Sequence, residues 1–264
     1  MCELLGMSAN VPTDIRFSFA GLAHRGGRTG PHRDGWGISF YEERGCRSFH
    51  DPTPSAHSPL AQLIRDLPIK SRIVIAHVRR ANRGRVALEN THPFTRELWG
   101  RTWCFAHNGQ LKGAKKLPLE TFHPVGSTDS EHAFCWVMDQ LRARFRTLPT
   151  PSNLDAAVDA LFARLREMGV FNALLSDGRS LYASCGTRLC ALTRRAPFGS
   201  AHLIDEDLEV DFSSETTPHD LVTILATRPL TQNEAWAPLD AQRTYVLRGG
   251  ELSAGPRAAR RSAR

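Results

Sequence analysis

The chain has 264 residues, of which 41% are hydrophobic and 23% charged, which is typical of a globular protein with a full apolar core. No run of about 18 apolar residues occurs and no basic-then-apolar leader opens the chain, so we predict a cytoplasmic protein without a transmembrane helix or secretory signal. Four arginines lie in the last eight residues, and without them the net charge falls from +7 to +3, which excludes a strongly basic body.

The first part of the chain reads as short helices between strands. Predicted helices lie at 13–23, begun by Thr13 or Asp14, and at 58–67, capped by Ser58. The second helix places four apolar residues on one face, namely Leu60, Leu63, Ile64 and Leu67. Apolar and β-branched stretches predict strands at 37–43, 46–51, 72–78 and 101–109.

The rest of the chain holds two longer helices and then strands. Thr128 and Glu131 have the spacing of a capping box ahead of an amphipathic helix over 132–145. A further helix follows Ser152, with an apolar face formed by Leu154, Val158, Leu161, Phe162 and Leu165. Predicted strands lie at 171–185, as a hairpin around Asp177–Gly178, and at 189–195, 220–230 and 243–252. Because strands and helices are segregated, we predict antiparallel sheets covered by helices rather than a doubly wound parallel fold.

The cysteines and histidines show no disulfide or ligand pattern. The six cysteines are dispersed without a C-x-x-C pair, and the chain is long enough to fold without disulfides. The eleven histidines have neither the H-E-x-x-H nor the mixed Cys/His spacing of zinc sites. We therefore predict no metal site and expect no cofactor.

Four short stretches carry polar groups that packing alone gives little reason for. They contain Cys2 in MCELLGM, Arg79 in IVIAHVRR, Asn108–Gly109 in CFAHNGQL and Asp129 in GSTDSEHAF. Each has a structural explanation: a residue next to the start, a surface ion pair, a turn and a first-turn helix charge. Together they offer a thiol nucleophile, an oxyanion hole, a carboxylate-binding fork and an ammonium-binding carboxylate. A ligand for all four is an α-amino acid with an acyl side chain, such as glutamine, although spacing alone does not bring the four together.

The order of these motifs resembles the class II glutamine amidotransferases, which are N-terminal nucleophile hydrolases. The matching segments are Cys2, HRG, DGWG, H-x-R, N-x-H-P-F, AHNG and TDSE. AHVRRANRGRVALENTHPF and FAHNGQL are most similar to the stand-alone YafJ-type members. The resemblance is dense over residues 2–135 and weaker in FNALLSDG and ILATRPLT. We interpret DGWG as a tight strand entry with Trp36 in the core rather than as a substrate contact.

The resemblance implies an α+β fold of four layers, the αββα sandwich, in which two stacked antiparallel sheets are flanked by helices. We predict that residues 2–252 form a single glutamine amidotransferase domain. Residues 253–264 follow as a basic tail, which we interpret as solvated and disordered rather than as a nucleic-acid-binding arm.

The resemblance also implies roles for individual residues. Once Met1 is removed, Cys2 would be the nucleophile and its α-amine the general base. Asn108 and Gly109 would form the oxyanion hole. Three residues would bind the substrate: Arg79 its α-carboxylate, Asp129 its α-ammonium, and His92 the lining of the pocket.

The implied activity is hydrolysis of the side-chain amide of L-glutamine to glutamate and ammonia through a thioester on Cys2. One alternative is a hydrolase of a γ-glutamyl amide with a larger leaving group. Another is a non-catalytic module that senses glutamine or contacts RNA through the basic tail. Because no synthase-sized segment follows the last motif, either a separate synthase accepts the ammonia or the enzyme is simply a hydrolase.

Overall fold

The computed structural model describes residues 2–43, 45–81, 84–213 and 216–255 of the chain. Its strands are, in chain order, β1 (Glu3–Asp14), β2 (Trp36–Glu42), β3 (Gly45–Asp51), β4 (Lys70–Val78), β5 (Phe94–Leu98), β6 (Arg101–Leu111), β7 (Gly169–Ser176), β8 (Leu181–Cys185), β9 (Cys190–Arg195), β10 (Ser200–His202), β11 (Glu209–Asp211), β12 (Leu221–Ala226), β13 (Ala237–Pro238), β14 (Arg243–Arg248) and β15 (Glu251–Ala254). Its α-helices are α1 (Arg16–His24), α2 (Pro59–Asp66), α3 (Asp129–Arg144) and α4 (Pro151–Arg166). Short 3-10 turns cover Ser55–His57, Leu88–Asn90 and Ala114–Lys116.

In the described residues these strands form two large sheets and one small ribbon. The first sheet has seven strands in the order β13-β9-β12-β1-β4-β2-β3, and the second has six in the order β15-β14-β8-β7-β6-β5. β10 and β11 pair separately. Neighbouring strands in both sheets run antiparallel. The antiparallel arrangement predicted from the sequence is therefore confirmed.

Three buried clusters separate the molecule into four layers. Side chains such as Leu174 and Leu225 fill the space between the two sheets. Phe19 and Ile64, from α1 and α2, pack on the outer face of the first sheet. Phe134, from α3, packs with strand residues on the outer face of the second sheet, and α4 contributes to the same cluster. The layer order is helix, sheet, sheet, helix, so the predicted αββα sandwich is confirmed.

Strand β1 lies at the centre of the first sheet but is absent from the predicted elements. It pairs with β4 on one side and with β12 on the other. Leu4 packs between the sheets, whereas Leu5 and Met7 pack towards the helices. Because both faces of the strand are apolar, its sequence lacks the alternation by which half-buried strands are recognised. The short strands β5, β10, β11 and β13 are also missing from the prediction.

The predicted start of the first helix is wrong. Thr13 and Asp14 are held extended by pairing with β4, and the helix begins at Arg16. The Asp14 carboxylate still supports the first turn, because it accepts the Arg16 N–H at 2.8 Å. It also forms an ion pair with the Arg16 guanidinium at 2.7 Å.

The second helix has the predicted cap but a different buried face. The Ser58 hydroxyl accepts the Ala61 N–H at 3.2 Å, as expected of an N-cap residue. Ala61 and Ile64 are buried, whereas Leu63 and Leu67 are 49% and 37% exposed. The predicted apolar face is therefore only partly the face that packs on the sheet.

Helix α3 begins with half of the predicted capping box. The Thr128 hydroxyl accepts the Glu131 N–H at 3.1 Å. The Glu131 carboxylate instead accepts the N–H groups of Val125 and Gly126, at 3.0 and 2.7 Å. It also pairs with Arg96 at 2.7 Å, so it ties the loop before α3 to strand β5.

The C-terminal end of the described fold is strand β15, which continues to Ala254, past the predicted domain end at 252. Residues 256–264, which hold most of the predicted basic tail, lie outside the described residues. The tail and the single-domain assignment therefore stay predictions. Within the described part of the chain, every helix is too short or too polar to cross a bilayer.

Leu225 tests the layer between the sheets. Replacing this fully buried residue with Ala should lower the free energy of unfolding by about 2–5 kcal/mol, because the lost carbons leave a cavity. The matched control is Leu63→Ala, which should cost about 0.5 kcal/mol or less because Leu63 is 49% exposed. Urea unfolding measures both, and equal losses would contradict the layered core.

Candidate active site

The six residues singled out in the sequence line one cavity of about 770 Å³. Cys2 precedes β1 and Arg79 follows β4, and these strand ends are neighbours because Glu3 pairs with Val78. Asn108 and Gly109 come from β6 of the second sheet, and Asp129 opens α3. The cavity therefore lies at one end of the sandwich, where both sheets and a helix N-terminus meet.

Cys2 is half-buried and bonded to the backbone of Arg80. Its sulfur accepts the Arg80 N–H at 3.2 Å and donates to the Arg80 carbonyl at 3.4 Å. Burial raises the pKa of the Cys2 thiol, opposed by the Arg80 N–H and by the charge of Arg79. The thiol is therefore held in its neutral form, and it needs a base before it can act as a nucleophile.

Arg79 is a buried cation, since the residue is 3% exposed. Its guanidinium donates to the carbonyls of Asp34 and Arg85, at 3.3 and 3.4 Å. Among the described residues no carboxylate lies within ion-pair distance of it, so the surface ion pair considered for Arg79 is not formed. A buried charge without a counter-ion is costly, and an anionic ligand would relieve that cost.

The DGWG segment holds Arg79 in place, a role that its sequence pattern did not indicate. The Gly35 carbonyl accepts the Arg79 N–H at 2.7 Å, and the Asp34 carboxylate accepts the Ala81 N–H at 2.7 Å. Trp36 is fully buried in the core beneath the helices, as expected. The segment is thus a strand entry that also fixes the neighbouring arginine.

Asn108 and Gly109 lie inside β6, so the alternative of an ordinary turn is wrong. The Asn108 side-chain N–H donates to the Cys2 carbonyl at 2.5 Å, which joins the two sheets at the cavity. A Cβ at Gly109 would lie 1.8 Å from the Val170 carbonyl oxygen of β7. Glycine is therefore required here by the neighbouring strand, whatever ligand approaches the backbone.

Asn172, on β7, supports this strand pair and is absent from the predicted site. Its side-chain N–H donates to the Asn108 carbonyl at 3.3 Å. Its side-chain oxygen accepts the N–H groups of Gly186, Thr187 and Arg188, each at 3.0–3.1 Å. Only the fold could reveal this contact, because the paired residues are far apart in sequence.

Asp129 is the first residue of α3, with its carboxylate fixed by two backbone donors. One oxygen accepts the Leu111 N–H at 2.8 Å, and the other accepts the Ser130 N–H at 3.0 Å. A carboxylate at a helix N-terminus is also favoured by the helix dipole. The structural interpretation of Asp129 as a first-turn helix charge is therefore confirmed, while its role in binding an ammonium stays a prediction for a carboxylate that lines the cavity.

His92 lines the cavity and packs against His77, with ring centroids 4.3 Å apart and ring planes tilted by 40°. Both rings are buried, and their nitrogens have no hydrogen-bond partner among the described residues. Burial lowers the pKa of His77 to about 3, and Arg79 acts in the same direction. Burial lowers the pKa of His92 well below its usual range, and the neighbouring His77 and Arg79 act in the same direction. Both imidazoles are therefore neutral at physiological pH.

His107 connects β6 to the start of α3. Burial lowers its pKa, so its ring is neutral and carries one N–H. The Val170 carbonyl, 3.0 Å from Nε2, can only accept, so the proton sits on Nε2. Nδ1 then accepts the Ser130 hydroxyl at 2.8 Å. No group of three or more candidate metal ligands occurs among the described residues, this cluster included.

The sequence of this chain is similar to those of known proteins. A family model for class-II glutamine amidotransferases matches residues 1–263. The chain is 63% identical to the Escherichia coli protein YafJ, named as a glutamine amidotransferase, over 89% of this chain and 93% of that one. It is 45% identical to a Haemophilus influenzae protein with the same kind of name, over 95% and 85% of the two chains.

Solved structures show the same architecture. A Pseudomonas aeruginosa protein, named as a glutamine amidotransferase, is 49% identical and has a TM-score of 0.76, covering 95% of this chain and 99% of that one. Glutamine phosphoribosylpyrophosphate amidotransferase of Bacillus subtilis has a TM-score of 0.64 at 14% identity, over 96% of this chain and 48% of that one. At that identity the likeness concerns the fold alone.

The buried histidines predict a loss of stability in mild acid. His77 is protonated in the unfolded chain below its usual pKa of 6.5 but resists protonation in the folded chain down to about pH 3. The free energy of unfolding should therefore fall with decreasing pH below about 6.5, by up to about 1.4 kcal/mol per pH unit for each such histidine.

His77→Asn removes one of these groups, and urea unfolding between pH 7 and 5 measures its effect. The variant should show a shallower pH dependence than the wild type, whatever its absolute stability. His57→Asn, at an exposed position, is the matched control and should keep the wild-type slope. An unchanged slope in His77→Asn would contradict a neutral, buried imidazole.

Proposed function

This chain belongs to the class II glutamine amidotransferases, and from that membership we propose that it hydrolyses the side-chain amide of L-glutamine to glutamate and ammonia. The nucleophile is Cys2, which becomes the first residue when Met1 is removed. Because burial holds the thiol neutral, the thiol needs a general base, and the α-amine of Cys2 takes that role.

The observation that carries the proposal is the buried Arg79 on the same cavity wall as the Cys2 thiol. A guanidinium without a carboxylate partner among the described residues suits the α-carboxylate of an amino acid, which it can bind through two N–H groups. Asp129, which also lines the cavity, offers a carboxylate to the α-ammonium. An α-amino acid held at both groups extends its side chain towards the thiol.

The first chemical step transfers the acyl group to sulfur. The α-amine of Cys2 takes the thiol proton, the sulfur attacks the side-chain amide carbon of glutamine, and a C–S bond forms. The amide oxygen becomes negative and is stabilised by the Asn108 side chain and the Gly109 N–H, where one such donor is typically worth about 10²–10³ in rate. The C–N bond then breaks. The Cys2 α-ammonium returns its proton to the leaving nitrogen, which departs as ammonia.

The second step releases glutamate. The regenerated α-amine of Cys2 removes a proton from water, and the water oxygen attacks the thioester carbon. The C–S bond then breaks. The sulfur leaves as a thiolate and recovers its proton from the α-ammonium. Arg79 and Asp129 make no bonds in either step, but they hold the acyl carbon close to the sulfur, which can lower the barrier by several kcal/mol.

A second candidate function is hydrolysis of a γ-glutamyl amide with a larger leaving group. The cavity volume of about 770 Å³ favours it, since pockets of about 300–1,000 Å³ commonly enclose ligands larger than an amino acid. The same residues would carry out the same two steps, with an amine in place of ammonia. Where glutamine is the substrate, a separate synthase is the proposed acceptor of the ammonia.

Intact-mass spectrometry tests the nucleophile. We expect the purified protein to lack Met1 and to gain a single adduct on Cys2 after treatment with a glutamine-mimicking diazoketone, and untreated protein to form glutamate from glutamine. Cys2→Ala should gain no adduct and form no glutamate. Retention of Met1 together with an unmodified Cys2 would contradict the proposed mechanism.

Arg79→Lys tests the binding of the substrate carboxylate. Lysine keeps the charge but loses the two-pronged donor geometry, so kcat/KM for glutamine should fall about 10–100-fold, mainly through KM. Arg72→Lys is the matched control, because Arg72 lies exposed on β4, the strand that precedes Arg79, and its replacement should leave both constants unchanged. Steady-state glutamate formation measures both variants, and a fall in kcat at constant KM would be evidence against this role.

A further inference from the structure

The lysines of this chain are concentrated at the cavity. The sequence has only four, Lys70, Lys112, Lys115 and Lys116, among 34 basic residues. The last three line the cavity, and we call them the lysine rim. Arginine is used almost everywhere else, so this choice of side chain sets the cavity mouth apart from the rest of the surface.

The backbone beneath the lysine rim is firmly held. The Lys112 N–H donates to the Met168 carbonyl at 2.9 Å. Gly113 has a φ of 77°, a left-handed conformation that favours glycine, and it sharply turns the chain. Ala114 is fully buried in the cluster under α3. The three lysine side chains project from this fixed turn and are exposed, without a hydrogen-bond or ion-pair partner among the described residues.

The charges that line the cavity are unbalanced. Asp129 is the one acidic residue of the lining within the described part of the chain, against Arg79, Arg80 and the lysine rim. Binding an amino acid uses Arg79 for a carboxylate and Asp129 for an ammonium, which cancel. The lysine rim and Arg80 remain uncompensated, so the outer part of the cavity favours an anion.

The cavity also has room for such an anion beside the amino acid. Glutamine has about ten non-hydrogen atoms, whereas a cavity of 770 Å³ falls in the range that holds considerably larger ligands. Hydrolysis of glutamine itself would leave the lysine rim without a partner, because its leaving group is ammonia.

We propose that the lysine rim binds an anionic group, a carboxylate or a phosphate, on the amine half of a γ-glutamyl amide substrate. This rests on the proposed acyl transfer to Cys2 and adds the class of leaving group to it. When the C–N bond breaks, the amine takes the proton from the Cys2 α-ammonium and leaves through the mouth with its anion. Lysine suits this position, because a flexible point charge follows a mobile anion better than the rigid fork of arginine does.

The test compares substrates that differ in the charge of the leaving group. γ-Glutamylglycine carries a carboxylate, γ-glutamyl-O-phosphoethanolamine carries a phosphate, and γ-glutamylglycinamide is neutral and nearly isosteric with the first. For wild-type enzyme we expect kcat/KM about tenfold higher for an anionic substrate than for the neutral one, as the sum of three modest surface attractions. The ratio should shrink in high salt, because exposed charges are screened.

The variant that removes the lysine rim carries Lys112→Gln, Lys115→Gln and Lys116→Gln together. Its ratio of kcat/KM values for anionic and neutral substrates should fall close to one. Lys70→Gln replaces the remaining lysine, at the start of β4 and outside the cavity lining, and should keep the wild-type ratio. A triple variant with the wild-type ratio, or a wild-type enzyme that prefers the glycinamide, would overturn the proposal.

Calorimetry on Cys2→Ala separates this proposal from the catalytic one. This protein cannot form the thioester, so it reports binding alone. We expect it to bind γ-glutamylglycine about tenfold more tightly than γ-glutamylglycinamide, and to lose that difference when the lysine rim is also replaced. Equal affinities, or no binding of the anionic compounds, would overturn the role of the rim. Absence of hydrolysis by wild-type enzyme, with the affinity difference intact, would instead overturn the catalytic proposal.

Discussion

The stacking of the two sheets sets the geometry of the site, and the hydrogen bond from Asn108 to the Cys2 carbonyl connects the sheets at the cavity. Cys2 lies at the end of the first sheet and Asn108 inside a strand of the second, and this contact joins them directly where the buried layer between the sheets already holds the sheets together. The antiparallel register supplies the other neighbour, because pairing of Glu3 with Val78 places Cys2 beside Arg79. Three distant segments of the chain therefore meet as a consequence of sheet stacking and strand register.

The buried charge of Arg79 lowers the stability of this end of the sandwich and makes it attractive to an anion. A buried Arg79 without a carboxylate partner in the described residues destabilises the ligand-free protein. His77 and His92 avoid adding to that charge, because burial keeps both rings neutral. Neutral imidazoles add no charge beside the buried cation, so under the proposed function the stability cost of Arg79 is the cost of a preformed position for a substrate carboxylate.

Sequence patterns predicted the features that depend on local chemistry and missed those that depend on tertiary contacts. The hairpin at Asp177–Gly178 and the Ser58 cap follow from turn and cap residues, and both are present. The central strand β1 was not predicted, because both of its faces are apolar and its sequence therefore lacks an alternating pattern. Polar residues near the ends of predicted strands indicated Arg79 and Asn108, although Asn108 proved to lie inside β6. Asn172 could not be found, because its partners are separated from it along the chain and meet it only through β-pairing.

The two proposed anion-binding positions of the cavity differ physically. Deep in the site, Arg79 is buried and fixed by backbone carbonyls, so its directional donors can select a planar carboxylate at one position. At the mouth, the lysine rim is exposed to water, where each charge contributes little by itself and several act together. In the proposed function, a buried fork determines which end of the substrate enters, while a hydrated cluster tolerates variation in the group beyond the scissile amide. If both proposals hold, selectivity for the γ-glutamyl half and breadth for the amine half arise from the same cavity.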